Sequence, residues 1–264
     1  MIRVEGLTVT FARGTPLEKT ALSGIDLSVA AGEFVSIIGS NGAGKSTLLS
    51  ALAGDFPPTS GRIEIDGMDV GRQSTARRSA RVARVFQDPL AGSCGALTIE
   101  ENLALAAARG RTRGFGTALR PSRRATFVNR LAALGLGLEG RLSDRMALLS
   151  GGQRQAIALV MATLAPSSVL LLDEHTAALD PGMAEFVADL TRRTVEEKGL
   201  TTLMVTHSMR QALELGTRTI MLHEGRIVLD VGGVERSTLT VEDLVRMFRR
   251  QRGVDLDDDE LLIG

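Results

Sequence analysis

The sequence of 264 residues contains no tryptophan, no tyrosine and a single cysteine, Cys94. One thiol cannot form a disulfide within the chain, which excludes a disulfide-stapled secreted domain and fits a reducing compartment. Lys and Arg together number 31, as do Asp and Glu, so the formal net charge is zero. Free-standing nucleic-acid-binding proteins usually carry a basic excess, and we therefore expect no nucleic acid among the partners.

The sequence also lacks an apolar run of the roughly 18 residues that a membrane-spanning helix needs. The most apolar stretch, residues 156–165, is separated from the apolar residues 169–172 by Pro166 and two serines. Hydrophobic residues nevertheless make up 44% of the chain, enough for the core of a large α/β domain. A function at a membrane would therefore require other chains that cross it.

Two hydrophobic patterns predict two kinds of strand. Apolar and polar residues alternate at residues 7–11, 25–29 and 63–65, which predicts a half-buried antiparallel sheet. Nearly continuous apolar runs, typical of strands buried on both faces, occur at residues 34–38, 82–86, 169–172 and 202–205. Helical patterns alternate with these runs, which indicates a parallel core sheet.

The middle of the chain, residues 89–166, shows no clear strand pattern. Helices are predicted at residues 46–53, 100–109, 126–134, 153–164, 181–198 and 240–252. We therefore expect a helical subdomain inserted at about residues 89–166, within a single domain that covers residues 1–253. Residues 254–264 form an acidic tail. The arginines between residues 109 and 130 are either a solvated helical face or loop, or a contact with a membrane partner or lipid headgroups, and the sequence does not decide between them.

Residues 39–46, GSNGAGKS, match the phosphate-binding pattern GxxxxGK[ST] between a buried strand and a helix. Glycines let backbone N–H groups turn toward phosphate oxygens, and the helix adds its positive N-terminal end. Lys45 is predicted to reach the β and γ phosphates, and Ser46 to bind Mg²⁺. The predicted nucleotide contacts in this loop are Gly39, Ser40, Asn41, Gly42, Ala43, Gly44, Lys45, Ser46 and Thr47.

A second motif is the buried run 169–172, which ends in two carboxylates. Asp173 is predicted to hold Mg²⁺, mainly through water, and Glu174 to act as the general base that polarises the attacking water. Many strands end in Asp-Glu, so this motif alone is weak evidence for a nucleotide site. Its occurrence together with the phosphate loop makes it strong evidence.

The third motif, residues 149–153, reads LSGGQ and opens a helix. Ser150, Gly151, Gly152 and Gln153 offer a hydroxyl, exposed amides and a helix N-terminus, which together make a second anion site. One chain has no obvious way to use both sites on one phosphate. A two-fold head-to-tail dimer solves this, because the LSGGQ of each chain then closes over the nucleotide of the other.

In this combination the motifs resemble those of ABC-transporter ATPase subunits, and the resemblance covers nearly the whole chain. The family's elements occur in the family's order: the phosphate loop, Gln87, LSGGQ, the Asp173–Glu174 pair, Leu179-Asp180 and His207. The resemblance implies an α/β fold with a P-loop NTPase core built on a parallel sheet, an N-terminal antiparallel β subdomain and an inserted helical subdomain. It also implies hydrolysis of ATP with Mg²⁺ as the metal.

The resemblance assigns roles to further side chains. Phe11 matches the aromatic residue that stacks on adenine. Gln87 matches the glutamine that senses Mg²⁺ and the γ-phosphate. His207 matches the histidine that contacts the γ-phosphate and orients the general base. Asp180 matches an aspartate at the dimer interface. The resulting catalytic set is Lys45, Gln87, Glu174 and His207, and the metal set is Ser46, Gln87 and Asp173.

Two positions depart from the family's pattern. His175 stands where many relatives have proline, and Ala178 where many have serine. Neither change removes a group that hydrolysis needs.

A finer resemblance, in segments such as VFQDP and LLLDEHTAALDP, is to bacterial importer ATPases paired with branched-chain-amino-acid-type permeases, some labelled tryptophan- or tyrosine-type systems. It implies a dimer of ATPase subunits, a transmembrane permease, an extracytoplasmic solute-binding protein and a peripheral location at the cytoplasmic face of the cell membrane. The implied activity is uptake of a small solute such as an amino acid or a related compound.

Other functional classes of protein fit the sequence less well. DNA-repair ATPases of this kind carry coiled-coil or zinc-binding insertions before the signature, and ribosome-acting ones usually carry two cassettes per chain; neither feature occurs here. A P-loop kinase should lack LSGGQ. A degenerate, binding-only subunit should have lost Glu174 or His207, and both are present.

Overall fold

The computed structural model of the protein describes residues 1–110, 119 and 121–252. The predicted acidic tail and residues 111–118 and 120 of the arginine-rich segment lie outside the described residues. The strands in the described part are β1 (Ile2–Phe11), β2 (Lys19–Val29), β3 (Phe34–Gly39), β4 (Ser60–Ile65), β5 (Met68–Asp69), β6 (Val82–Val85), β7 (Val169–Asp173), β8 (Thr201–Val205), β9 (Arg218–His223) and β10 (Arg226–Gly232). The helices are α1 (Lys45–Ala53), α2 (Thr75–Arg78), α3 (Ile99–Ala107), α4 (Pro121–Ala132), α5 (Gly151–Leu164), α6 (Pro181–Lys198), α7 (Met209–Leu215), α8 (Gly233–Ser237) and α9 (Val241–Arg252).

The strands form two sheets, as the two hydrophobic patterns predict. The core sheet has six strands in the order β10-β9-β3-β8-β7-β6, and all its neighbours are parallel except β9 and β10. The second sheet, in the order β2-β1-β4-β5, is antiparallel. The predicted fold class is confirmed.

Every residue of β3, β7 and β8 is buried, which explains their continuous apolar runs. Successive side chains of a strand point to opposite faces. Leu171 therefore packs with the antiparallel sheet and α1, whereas Leu170 and Leu172 pack with α5 and α6 on the other face. The core sheet is thus covered on both sides.

The predicted inserted helical region consists of α3, α4, α5 and two short 3₁₀ turns. Its core includes Ile99, Leu103, Phe127, Leu131 and Ile157. The next residues of α5, Ala158 and Leu159, pack instead against the core sheet. The helix that follows LSGGQ therefore contributes side chains to both cores and connects them. The boundaries proposed for the domain and subdomain stay predictions.

Some elements differ from the sequence prediction. Helix α4 begins at Pro121, five residues before its predicted start at residue 126. Helix α7 and the hairpin β9–β10 were not predicted. The hairpin turns at Glu224 and Gly225, both with positive φ, and pairs the guanidinium of Arg218 with Asp230 at 2.5 Å. Among the described helices, none has the length and apolarity needed to cross a membrane.

Candidate active site

The phosphate loop leaves β3 at Gly39 and enters α1 at Lys45, in a conformation that two glycines make possible. Gly39 has φ 147°, and a Cβ there would lie 2.2 Å from the Leu222 carbonyl oxygen. Gly44 has φ 102°, and a Cβ there would lie 2.6 Å from the Ala21 carbonyl oxygen. The loop therefore packs against β9 and β2 so closely that no other residue type fits at these two positions.

Lys45 is buried inside this loop. Its Nζ donates to the carbonyl oxygens of Gly39 at 2.7 Å and Ser40 at 3.0 Å. Burial lowers the pKa of Lys45, and the charges of Glu174 and Asp173 act in the opposite direction. A desolvated ammonium is strongly attracted to anions, so the loop is suited to phosphate.

Asp173 ends β7 beside the start of α1. Its Oδ1 accepts a hydrogen bond from the hydroxyl of Ser46 at 3.2 Å, and its Oδ2 accepts one from Arg84 Nη2 at 2.9 Å. Hydroxyl and carboxylate oxygens are the ligands that Mg²⁺ prefers, usually together with substrate phosphates and water. Among the described residues, no group of three acidic, His or Cys side chains is placed to hold a metal alone.

Glu174 and His207 lie together although they are far apart in the chain. His207 Nε2 lies 2.6 Å from Glu174 Oε1. Both residues follow core strands, β7 and β8, which are neighbours in the sheet. Glu174 has φ 45° and its amide donates to the Val205 carbonyl at 3.0 Å. A positive φ at a non-glycine residue costs about 1–3 kcal/mol and is common at active sites.

Phe11 lies in the same cleft as the phosphate loop. This phosphate-loop cleft has a volume of about 260 Å³ and is lined by Phe11, Lys19, Ala21, residues 41–47 and Glu174. Phe11 is 42% exposed and packs edge-to-face on Phe56, with 5.2 Å between the ring centroids. This exposure leaves part of the Phe11 side chain accessible to a planar ligand.

Gln87 is exposed just after β6. Among the described residues, no hydrogen bond joins it to Ser46, Asp173 or Glu174, whose partners lie elsewhere. The adjacent carbonyl of Phe86 accepts a hydrogen bond from Gln155 Nε2 at 3.2 Å. This bond ties the segment to α5.

The LSGGQ residues form the start of α5. The Ser150 hydroxyl accepts from the Gln153 amide at 3.2 Å, and Gln153 Oε1 accepts from the Ser150 amide at 3.2 Å. Gly152 lies against Met183, which a Cβ there would approach to 2.6 Å. Asp180, the N-cap of the next helix α6, accepts from the Met183 amide at 3.1 Å. The described lining of the phosphate-loop cleft includes none of the LSGGQ residues, so the chain does not join the two predicted anion sites.

Three supporting residues escaped the sequence prediction. Arg84 was not predicted as a partner of Asp173. Gln211, on the unpredicted helix α7, accepts from Thr176 at 2.8 Å and from Thr206 at 3.3 Å, and so joins the segments that follow β7 and β8. His175, noted only as a departure from a pattern, is buried with its Nε2 2.9 Å from the Thr191 hydroxyl. The positions of Asp173, Glu174 and His207 in the sequence give no indication of the contacts made by Arg84, Gln211 and His175.

Comparison with known proteins decides the family. The model of the ABC transporter family matches residues 22–177. The chain belongs to this family.

Relatives of the ABC family match over most of this chain. A tyrosine transport ATP-binding protein of Clostridioides difficile strain R20291 is 42% identical over 94% of this chain and 98% of its own. A methionine import ATP-binding protein of Caulobacter vibrioides is 35% identical over 95% of this chain and 73% of its own. A dimeric ATP-binding cassette solved in a post-hydrolysis state with ADP and Pi is 30% identical, has a TM-score of 0.77, and covers 88% of this chain and 98% of its own.

The protein is therefore an ATP-binding, ATP-hydrolysing subunit of an ABC transporter. Among the described residues, the lining of the phosphate-loop cleft brings together Phe11, residues 41–47 of the predicted phosphate loop and Glu174.

Proposed function

We propose that this ABC ATPase hydrolyses Mg²⁺-bound ATP with Glu174 as the general base, and that hydrolysis powers uptake of a small solute through a separate permease. The observation that carries the catalytic assignment is the 2.6 Å contact between His207 Nε2 and Glu174 Oε1 at the edge of the phosphate-loop cleft. A carboxylate held in this way is ready to accept a proton from a water that attacks the γ-phosphate.

The other site residues act by binding and positioning. Lys45 donates to the β- and γ-phosphate oxygens in place of its present carbonyl partners, and the loop amides surround the phosphates. Ser46 and Asp173 would hold Mg²⁺, which supplies positive charge that stabilises the transferring phosphoryl group. His207 holds the Glu174 carboxylate in one orientation and is close enough to contact the γ-phosphate. Phe11 offers its ring face to adenine.

The site is completed by a second copy of the chain. Ser150 is exposed at the N-terminus of α5, where amides and the helix dipole attract an anion. Residues 150–153 lie apart from the cleft of their own chain, so a two-fold arrangement that places them over the partner's nucleotide uses both anion sites. Asp180 lies on the same side of the fold, because its helix packs against the LSGGQ turn through Met183.

A groove beside the Gln87 segment offers a surface for the permease. A groove of about 1190 Å³, here called the docking groove, runs between α2, β6, α3 and α5, and its lining includes Asp55, Arg84, Phe86, Leu105 and Arg109. A cytoplasmic helix of the permease fits a groove of this size and mixed polarity. A peripheral position at the cytoplasmic face of the membrane and an extracytoplasmic solute-binding protein complete the proposed transporter.

The proposed solute class is amino acids or related compounds. The support is the 42% identity over 94% of the chain to a tyrosine transport ATP-binding protein, together with the methionine import relative. A permease co-purified with this chain and reconstituted in vesicles should take up radiolabelled amino acid only when ATP is present. Saturable ATP-dependent uptake of a different solute class would contradict this part of the proposal.

The catalytic assignment is tested with Glu174→Gln. We expect this variant to bind ATP, to lose turnover by about 100-fold or more, and to accumulate as a dimer with ATP in size-exclusion chromatography. Asp189→Asn, which removes an exposed carboxylate on α6, is the matched control and should hydrolyse ATP at the wild-type rate. Wild-type turnover in Glu174→Gln would overturn the assignment.

A further inference from the structure

The carboxylate of Asp173 has a cationic partner within the chain. Arg84 lies on β6, the strand that pairs with β7 in the core sheet. Its Nη2 donates to Asp173 Oδ2 at 2.9 Å, and both side chains are only 13% exposed. Since arginine stays charged at any accessible pH, the predicted metal ligand always has a positive charge beside it.

Arg84 is held from three further directions. Its Nη1 donates to Asp55 Oδ2 at 2.7 Å and to the hydroxyl of Ser50 on α1 at 3.2 Å. The guanidinium also stacks on the ring of Phe86, 4.5 Å from the centroid, which is a favourable cation–π geometry. A guanidinium fixed at this many points keeps its orientation, so it also fixes the orientation of the carboxylate that it binds.

The two oxygens of Asp173 have different partners. Oδ1 accepts from Ser46, another oxygen ligand predicted for Mg²⁺, whereas Oδ2 accepts from Arg84. A divalent cation that binds this carboxylate must share it with a fixed positive charge. In a partly buried pair the repulsion between two such cations is only weakly screened by salt.

We propose that Arg84 is a positioning residue that orients Asp173 and lowers the dependence of ATP binding on Mg²⁺. This inference rests on the proposed role of Asp173 as a metal ligand. With Mg²⁺ present, Arg84 competes for the Asp173 carboxylate and weakens the contribution of the metal. Without Mg²⁺, the same guanidinium offsets the negative charge of Asp173 that would otherwise repel the phosphates. Both effects reduce the difference between ATP binding with and without the metal.

The test is a binding measurement on the full chain. The affinity for a fluorescent ATP analogue is measured in Mg²⁺ and in EDTA, and the dissociation constant in EDTA is divided by that in Mg²⁺. We expect Arg84→Met to raise this metal ratio about fivefold, at the low end of typical coupling between two bound ligands. Arg84→Lys retains the charge, and we expect its ratio to stay within about twofold of wild type.

Two control variants test whether the change in the metal ratio is specific to the contact between Arg84 and Asp173. Arg81→Met removes the same charge just before β6, where the Arg81 guanidinium donates to the sulfur of Met68, and should leave the metal ratio unchanged. Asp55→Asn removes the other carboxylate that binds Arg84, so the guanidinium interacts more strongly with Asp173, and the ratio should fall. The Asp55 variant also keeps the inference testable if Arg84→Met does not fold.

The outcomes separate this inference from the proposed function. A metal ratio in Arg84→Met equal to that of Arg81→Met, in protein with a normal unfolding transition, would show that Arg84 is only a structural clamp and would overturn the inference. Asp173→Asn should bring the ratio close to one. If Asp173→Asn leaves the ratio at the wild-type value, the metal role of Asp173 itself is wrong, and the inference falls with it.

Discussion

The imidazole Nε2 of His175 lies 2.9 Å from the hydroxyl of Thr191, in the interior between the segment after β7 and helix α6. The Thr191 hydroxyl donates to the Val187 carbonyl at 2.8 Å, so it accepts its second bond from the histidine N–H. This arrangement uses a neutral imidazole, and burial lowers the pKa of His175 to about 4. The loop that carries Glu174 is therefore anchored to α6 by an uncharged histidine.

The first prediction follows from this pKa. The unfolded chain takes up the proton near the ordinary pKa of about 6.5, whereas the folded chain resists it until about pH 4. The free energy of unfolding should therefore fall as the pH is lowered from 6.5 toward 4, by up to about 3 kcal/mol from this group. Urea denaturation of wild type and His175→Gln at several pH values measures the difference. Equal pH slopes for the two proteins would contradict the prediction.

The second prediction concerns Ser150. Ser150→Arg places a bulky cation where the partner's nucleotide should lie, and we expect ATPase activity to fall about 100-fold or more while ATP binding to the monomer is retained. Thr240→Arg is the matched control, because Thr240 caps α9 through the same kind of bond, to the Asp243 amide at 3.2 Å. Loss of either cap costs about 1 kcal/mol of helix stability, so only a defect specific to Ser150 indicates closure in trans. Full activity in Ser150→Arg would contradict the dimer proposal.

The third prediction separates stacking on adenine from packing of strand β1. Phe11→Ala should weaken ATP binding about three- to tenfold, since an aromatic stacking contact is worth about 0.5–1.5 kcal/mol. Binding of inorganic triphosphate, which has no base, should not change. Phe56→Ala removes the edge-to-face partner of Phe11 and serves as the packing control. Equal losses for ATP and triphosphate in Phe11→Ala would show that the ring acts only through the fold.

The fourth prediction concerns the buried guanidinium of Arg78. Its Nη1 donates to the carbonyls of Ala51 at 2.5 Å and Leu52 at 3.1 Å, and its Nη2 to that of Gly71 at 3.0 Å. Arg78→Met leaves these carbonyls unsatisfied and should lower the free energy of unfolding by about 3 kcal/mol. Arg77→Met, at the exposed neighbouring position, should change it by less than about 0.5 kcal/mol. Thermal or urea denaturation of both variants is the measurement, and similar stabilities would contradict the proposed role of Arg78.

Features that depend on neighbouring residues were predictable from the sequence. Glycine spacing in residues 39–46 predicted the strand–loop–helix that the structure shows, because the loop conformation depends on local backbone freedom. The bond between Ser150 and the Gln153 amide is equally local, although only the helix that it caps was predicted. The alternating and continuous apolar patterns separated the antiparallel sheet from the core sheet, since each pattern reports how many faces of a strand are buried.

Features that depend on which strands are neighbours required the tertiary structure. Arg84 contacts Asp173 because β6 lies beside β7, and no spacing in the chain encodes that adjacency. Gln211 joins the segments after β7 and β8 only because α7, which carries it, packs next to Thr176 and Thr206. The resemblance anticipated Glu174 beside His207, yet the 2.6 Å contact exists because β7 and β8 are paired in the sheet. Local sequence determines the conformation of each motif, whereas long-range packing determines which side chains face one another.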